Sequence, residues 1–217
     1  MNQKKLFSDD LKNALPSPKI DKILNEIETI YQSKIKMDEF EICRKWDEIG
    51  NSFYNHKMTV GDIKRLIQFG IKLRDFKGTD RNRIERDFFT LLKSVLTPFF
   101  SRIEGGKHPF PIKREKIETI GEKEVIEKLL LFLEIEKFAI DSYKYKRDRD
   151  SFAGKRRAFS IELIGNFLNY FQSSQGLQLV VQSLKSKSKA EVESASEILN
   201  YYCRTRGVSK DEVLQMQ

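Results

Sequence analysis

Apolar side chains recur at intervals of three and four residues along most of the chain, whereas sustained alternation of apolar and polar residues is almost absent. The first pattern is typical of an amphipathic α-helix, and the second would indicate a half-buried strand. With only 5 prolines and 11 glycines, few residues interrupt the pattern, so long elements are expected. The pattern predicts eight helices, whose apolar stripes begin at Ile20, Ile42, Ile63, Ile84, Val125, Phe152, Leu177 and Val192.

Residues with known preferences for helix ends mark several of these segments. Thr59 followed by Asp62, and Ser188 followed by Glu191, have the spacing of an N-terminal capping box, in which each side chain bonds to the other's backbone N–H. Gly207 directly follows the last stripe and predicts a left-handed cap at the C-terminus of that helix.

Other residues are expected to interrupt or limit the helices. Pro98 lies within the fourth stripe and is expected to kink that helix or to end its regular part near Thr97. Gly176 is expected to separate the sixth helix from the seventh, and Ser209 to begin a last short turn of helix or a frayed tail.

The links between the stripes are short, so consecutive helices are expected to pair as antiparallel αα-hairpins. We therefore predict an all-α fold, either an irregular α-solenoid (a superhelix of HEAT or armadillo type) or a compact helical bundle. Residues 176–207 resemble a unit of a HEAT or armadillo array in length and apolar pattern, but the other pairs do not repeat those residues. We expect a single domain over 1–217, with a loose segment at 1–16, an internal loop at 104–121 and a tail at 208–217.

Composition places the chain among globular proteins with an excess of positive charge. The 217 residues include 39% hydrophobic residues, enough for a core, and 40 basic against 32 acidic residues, a formal charge of +8. Eight of the 14 arginines fall in two short windows, and these windows with their lysines are the candidate sites for binding an anion or nucleic acid. The candidate residues are Arg74, Arg81, Arg83, Arg86, Lys144, Lys146, Arg147, Arg149, Lys155, Arg156 and Arg157.

The second window carries the stronger signal. Residues 144–157 contain seven basic and two acidic residues, interleaved with Tyr143, Tyr145 and Phe152. Cations for phosphates and flat rings for stacking are what proteins use to bind single-stranded nucleic acid. Stacked hairpins would let the two windows form one basic ridge; alternatively, both are solvated turns whose arginines bridge to nearby carboxylates. Asp148 and Asp150 are expected to cap the sixth helix and to moderate the local repulsion.

Motifs of catalysis, metal binding and phosphate cradling are not found in the sequence. The two histidines, His56 and His108, have no second ligand at helical metal spacing, and no Walker motif or nucleophile elbow occurs. The acidic pair Glu134 and Glu136 is expected to be an exposed helix face. We predict no catalytic residues, no metal and no cofactor.

The function expected from the sequence is that of a non-enzymatic helical interaction module or scaffold, with a protein as the first choice of partner. The alternative is a nucleic-acid-binding protein that uses the arginine- and lysine-rich ridge; an enzyme working with arginines and carboxylates alone is the least favoured. Cys43 and Cys203 lie on or beside apolar stripes and are interpreted as reduced core residues. With no signal peptide and no apolar run longer than five residues, a cytoplasmic protein without a membrane span is expected. The oligomeric state is left unassigned.

Overall fold

The computed structural model describes residues 14–32, 39–56, 58–76, 81–101, 123–147, 150–168 and 174–215, and every regular element in these ranges is an α-helix. The all-α prediction is confirmed. The described ranges hold nine helices: α1 (Pro18–Gln32), α2 (Glu39–His56), α3 (Val60–Leu73), α4 (Arg81–Ser101), α5 (Lys123–Lys144), α6 (Ala153–Leu168), α7 (Ser174–Ser183), α8 (Lys189–Arg206) and α9 (Lys210–Gln215).

Several predicted helix ends are confirmed. Thr59 and Asp62 form a full capping box, with the Asp62 N–H donating to Thr59 Oγ1 at 3.1 Å and the Thr59 N–H donating to Asp62 Oδ2 at 2.8 Å. Gly207 adopts φ 64°, the left-handed cap that ends α8. The short helix α9 begins at Lys210, next to the Ser209 start that the sequence predicts.

Other predictions about helix ends are wrong. Ser188 precedes α8 without a side-chain capping bond, and its backbone N–H donates to Ser186 Oγ at 3.1 Å while the Glu191 carboxylate accepts from Arg157. Gly176 lies within α7 rather than between helices, since a helix tolerates one glycine at a cost of about 1 kcal/mol. Of the two outcomes expected at Pro98, an end near Thr97 is excluded: α4 continues to Ser101, because proline removes only one backbone donor from a long helix.

The two cysteines differ from each other. Cys203 is buried, as predicted, whereas Cys43 is exposed and its sulfur lies 3.7 Å from Arg83 Nη2. The core assignment of Cys43 is therefore wrong: it lies one position beyond the buried Ile42, outside the apolar stripe of α2.

The exposed face expected around Glu136 is also not observed. Glu136 is 1% exposed, because it lies four positions after Phe132 and three before Ala139, on the buried face of α5. The prediction of an exposed Glu136 is therefore wrong.

The chain divides into two compact units. The first comprises α1 to α4 and α5 up to Leu131, and the second comprises α5 from Phe132 together with α6 to α9. The single-domain prediction stays a prediction. The predicted loop at 104–121, which contains His108, and most of the 1–16 segment lie outside the described residues.

In the first unit, the alternate helices α1 and α3 run parallel. Asp21 of α1 pairs with Arg65 of α3 at 2.7 Å, and Glu28 pairs with Lys72 at 2.8 Å, so the contacts advance along both helices in the same order. Phe69 lies at the centre of the aromatic core, with its ring centroid 5.5 Å from that of Trp46.

The second unit repeats this arrangement with α6 and α8. Ser194 Oγ of α8 donates to Glu162 Oε1 of α6 at 3.0 Å, and Arg206 Nη2 donates to the Leu168 carbonyl oxygen at 2.6 Å. Both contacts advance in chain order, so α6 and α8 are parallel and begin at the same end of the unit. The links that precede them, 145–152 and 184–188, therefore lie at that end.

Candidate nucleic-acid interface

The start of α6 contacts the link before α8 directly. A Cβ added to Gly154, at the start of α6, would stand 2.9 Å from Ser188 Cβ and closer still to Ser188 Oγ, so only glycine fits this approach. One helix turn away, the hydroxyl oxygens of Tyr143 and Ser183 lie 2.9 Å apart. Residues at the ends of α5 and α7 and at the starts of α6 and α8 thus meet in one cluster.

A buried carboxylate holds the cluster together. Glu191 of α8 is 1% exposed and accepts hydrogen bonds from Tyr143 (2.9 Å), from Arg157 Nε (2.6 Å) and from Ser186 Oγ (2.7 Å). Burial alone would raise the pKa of Glu191, but the three hydrogen bonds and the Arg157 charge outweigh it and hold this pKa below its usual range. Glu191 is therefore ionised at neutral pH and fixes three elements around its side chain.

The Tyr143 hydroxyl is a stable donor in this network. Burial raises its pKa, and the adjacent Glu191 carboxylate raises it further, although the contact with Ser183 acts in the opposite direction. The phenol consequently stays protonated and keeps donating to Glu191.

Arginines of the second window form a further internal cluster. Arg147 Nη2 lies 2.9 Å from Asp150 Oδ1, and Arg156 Nη2 lies 2.7 Å from Asp150 Oδ2. The Arg156 side chain is only 1% exposed, and its guanidinium lies 5.2 Å from the ring centroid of Tyr145 and 6.0 Å from that of Phe152. Asp150 balances the arginine charge as predicted, and its Oδ1 also accepts the Phe152 N–H at 3.1 Å, just before α6 begins.

Exposed lysines cover the outside of both links. Lys144, Lys146 and Lys155 are exposed on the first link and its flanking turns. Along 185–189 lysine alternates with serine, and the lysines are exposed while Ser186 turns inward to Glu191. We name the set the lysine end: Lys144, Lys146, Lys155, Lys185, Lys187 and Lys189.

Little compensates the charge of the lysine end. Within the described part of the chain, the one ion pair made by these lysines joins Lys189 to Glu193 at 3.6 Å, and both side chains are largely exposed. Such exposed pairs contribute about 0 to 1 kcal/mol. The helix dipoles add little net potential at this end. The partial positive charges at the N-termini of α6 and α8 are offset by the partial negative charges at the C-termini of α5 and α7.

The excess charge of the whole protein resides in these two segments. Residues 144–157 and 185–189 together contain ten basic and two acidic residues, and all other residues together contain 30 of each sign. The formal charge of +8 is thus a local property of the region that forms the lysine end.

Residues of the first window lie in the first unit, at the end of α3 and the start of α4. Arg81 Nη2 donates to the Arg74 carbonyl oxygen at 2.8 Å. Arg86 contacts Asp87 at 2.9 Å, and Arg83 lies 3.8 Å from the same carboxylate. The ridge that would join both windows spans the two units and stays a prediction.

Three of the six lysines of the lysine end are not among the candidate residues that the sequence predicts. The segment 185–189, which holds Lys185, Lys187 and Lys189, contains no arginine and lies about 30 positions beyond the second window. Their signal is the strict lysine–serine alternation over 185–189, in which the three lysines are exposed and the two serines are half-buried. Conversely, the described arginines of the second window are paired with carboxylates: Arg147 (11% exposed) and Arg156 (1%) with Asp150, and Arg157 (33%) with Glu191. Arg149 lies outside the described residues.

In the described ranges, no three histidine, cysteine, aspartate or glutamate side chains gather closely enough to hold a metal ion. None of the helices in those ranges combines the length and the apolar character needed to cross a membrane.

No protein-family model matches the chain, and no curated protein or solved structure matches it significantly. The charges and contacts of the lysine end are therefore the basis for the proposed function.

Proposed function

We propose that this protein is a helical binding module whose lysine end binds nucleic acid. The observation that supports the proposal is the concentration of the protein's entire excess charge in two segments that adjoin in the fold. Nucleic-acid binding begins with cations that neutralise phosphates and release condensed counterions. The six exposed lysines of the lysine end, on the two links and on the helix ends beside them, supply such cations.

The chemistry of the surface favours nucleic acid over a protein partner. Protein interfaces are depleted in lysine and centred on buried aromatic and apolar residues. The large exposed hydrophobic residues in the described ranges are Leu15, Ile71, Tyr201 and Leu214, and none of them lies on either link. A surface of lysines without an exposed apolar centre suits a densely charged polyanion better than a protein.

The same observation counts against a lipid surface. Stable membrane attachment combines basic residues with an apolar anchor, and the described residues of the lysine end present no large exposed apolar side chain.

The internal network supports binding by fixing the links in advance. Asp150 accepts the Phe152 N–H, and Glu191 binds Ser186, whose hydroxyl accepts the Ser188 N–H, so less order has to be imposed on these residues when a ligand binds. Only the lysine side chains themselves then lose conformational freedom.

The test compares two triple variants of equal charge. K185Q/K187Q/K189Q removes half of the lysine end, and K137Q/R204Q/K210Q removes three exposed cations of the same unit that lie on neither link. With a labelled mixed-sequence DNA duplex of about 20 base pairs at about 50 mM salt, we expect the first variant to bind at least about tenfold more weakly than wild type and the second within about twofold. Fluorescence anisotropy measures both.

Two results would contradict the proposal. Absence of binding by the wild-type protein to both duplex and single-stranded DNA at low salt would refute it, and equal weakening by both variants would show that bulk charge, rather than the lysine end, attracts the ligand. Capture of an acidic polypeptide in place of DNA would assign the surface to a protein partner.

A further inference from the structure

We infer that the lysine end grips the phosphate backbone of duplex nucleic acid, without reading base sequence and without stacking bases. The inference rests on the proposed function and specifies its ligand. The reason is that the lysines of the second window face solvent, whereas its described arginines and aromatic rings contact other groups of the protein.

The described arginines of the second window, the side chains best suited to reading bases, are bound to carboxylates of the protein itself. An arginine reads guanine by donating two parallel hydrogen bonds to its edge, which requires a guanidinium free to leave the protein surface. Arg156 is buried against Asp150, Arg147 shares that carboxylate, and Arg157 is bonded to buried Glu191 at 2.6 Å. Withdrawing any of them would leave a buried carboxylate short of a partner, which is strongly destabilising.

The aromatic rings of the window are engaged as well. A base stacks on an exposed flat ring, but Phe152 is 5% exposed and the Arg156 guanidinium stands over the Tyr145 ring at 5.2 Å. The alternation of aromatic and basic residues that predicts single-strand binding in the sequence is therefore used for packing inside the second unit.

The exposed charged side chains in the described part of both links are lysines, and Ser151 is exposed beside them. An ammonium group is a compact point charge that suits phosphate oxygens but lacks the planar fork needed to discriminate bases. Duplex DNA carries one negative charge per about 1.7 Å of axis, a higher density than a single strand, and each neutralised phosphate releases more counterion from it. Lysine contacts alone therefore favour the duplex over the single strand.

The test measures the affinities of four labelled DNAs of equal length at three salt concentrations: a mixed-sequence duplex, a duplex of G·C pairs, a duplex of A·T pairs and a mixed single strand. We expect the three duplexes to bind within about threefold of one another and the single strand about tenfold more weakly. Two variants accompany the wild type. Tyr145→Leu removes a half-buried ring of the window, and Arg149→Gln removes the one window arginine outside the described residues.

We expect both variants to preserve the order of the four affinities, with any loss of stability in Tyr145→Leu monitored by thermal unfolding. The inference is overturned by a preference of more than about tenfold for one duplex sequence, whether or not Arg149→Gln abolishes that preference, or by tighter binding of the single strand. Each of these results leaves the proposed function standing. Absence of binding by all four DNAs refutes the proposed function itself.

Discussion

At the scale of single residues, Glu191 contributes most to the order of the lysine end. Its carboxylate is buried, yet it receives hydrogen bonds from α5, α6 and the link before α8. Because its pKa is lower in the folded protein than in the unfolded chain, ionised Glu191 stabilises the fold at neutral pH. That stabilisation is fully present above the unfolded pKa and is lost as the pH falls through the folded pKa.

We expect Glu191→Gln to lower the free energy of unfolding by about 2 kcal/mol at about pH 7, because hydrogen bonds to a charged group are lost. The difference from wild type is expected to shrink as the pH falls through the lowered pKa of Glu191 in the folded protein, because the wild-type carboxylate then becomes protonated. Urea unfolding at neutral and acid pH measures both values. Glu197→Gln, an exposed carboxylate on the same helix, serves as the control and should have no effect at either pH. An equal loss for Glu191→Gln at both pH values would contradict this account.

Glu191 also shows where residue-scale prediction stops. Its spacing after Ser188 predicts a local capping box, but the carboxylate binds Arg157, which lies 34 positions earlier in the chain. The same spacing does form a capping box before α9, where the Ser209 N–H donates to Glu212 and the Glu212 N–H donates to Ser209 Oγ. A local pattern cannot reveal a partner that tertiary packing supplies.

At the scale of elements, close packing of α6 against α8 sets the position of the links. A Cβ added to Gly165 would stand 2.8 Å from Ile198 Cγ1 and 2.9 Å from Cγ2, so the two helices approach as closely as glycine allows. This approach keeps both helices parallel and in register, and therefore keeps 145–152 beside 184–188.

We expect Gly165→Ala to destabilise the protein by about 1 to 2 kcal/mol, because overpacking outweighs the helix propensity gained. Gly50→Ala is the matched control: the nearest atom, Leu91 Cδ1, lies 3.9 Å from the added Cβ, and this change should stabilise by about 0.5 to 1 kcal/mol. In an Ile198→Ala background the cost of Gly165→Ala should disappear. Denaturant unfolding of the four variants tests this, and a cost that persists in the Ile198→Ala background would rule out the contact as its source.

The helices themselves were predictable because burial imposes a 3.6-residue period on each apolar stripe: seven of the eight predicted stripes begin on a helix, and the sixth begins at Phe152, one residue before α6. Their arrangement was only partly predictable. Short links indicate hairpins, but the parallel registration of α1 with α3 and of α6 with α8 depends on contacts such as Asp21–Arg65 and Gly165–Ile198. No local pattern encodes those contacts.

At the scale of the whole molecule, the distribution of positive charge is the feature that favours binding of an anionic ligand. The sequence indicates the second window through its arginines, but it does not show that three lysines near residue 187 lie beside that window. The fold brings the segments together and also sorts them, because the arginines bind carboxylates inside while the lysines remain in solvent. Composition thus predicts an anion-binding class, and only tertiary structure indicates which cations are available.

The salt dependence of duplex binding tests the central claim most directly. If all six lysines neutralise phosphates, the logarithm of the association constant should fall against the logarithm of salt concentration with a slope of about −5. For K185Q/K187Q/K189Q we expect a slope of about −3, and for K137Q/R204Q/K210Q the wild-type slope. A triple-lysine variant that keeps the wild-type slope, or a control that loses as much, would contradict the assignment of binding to the lysine end.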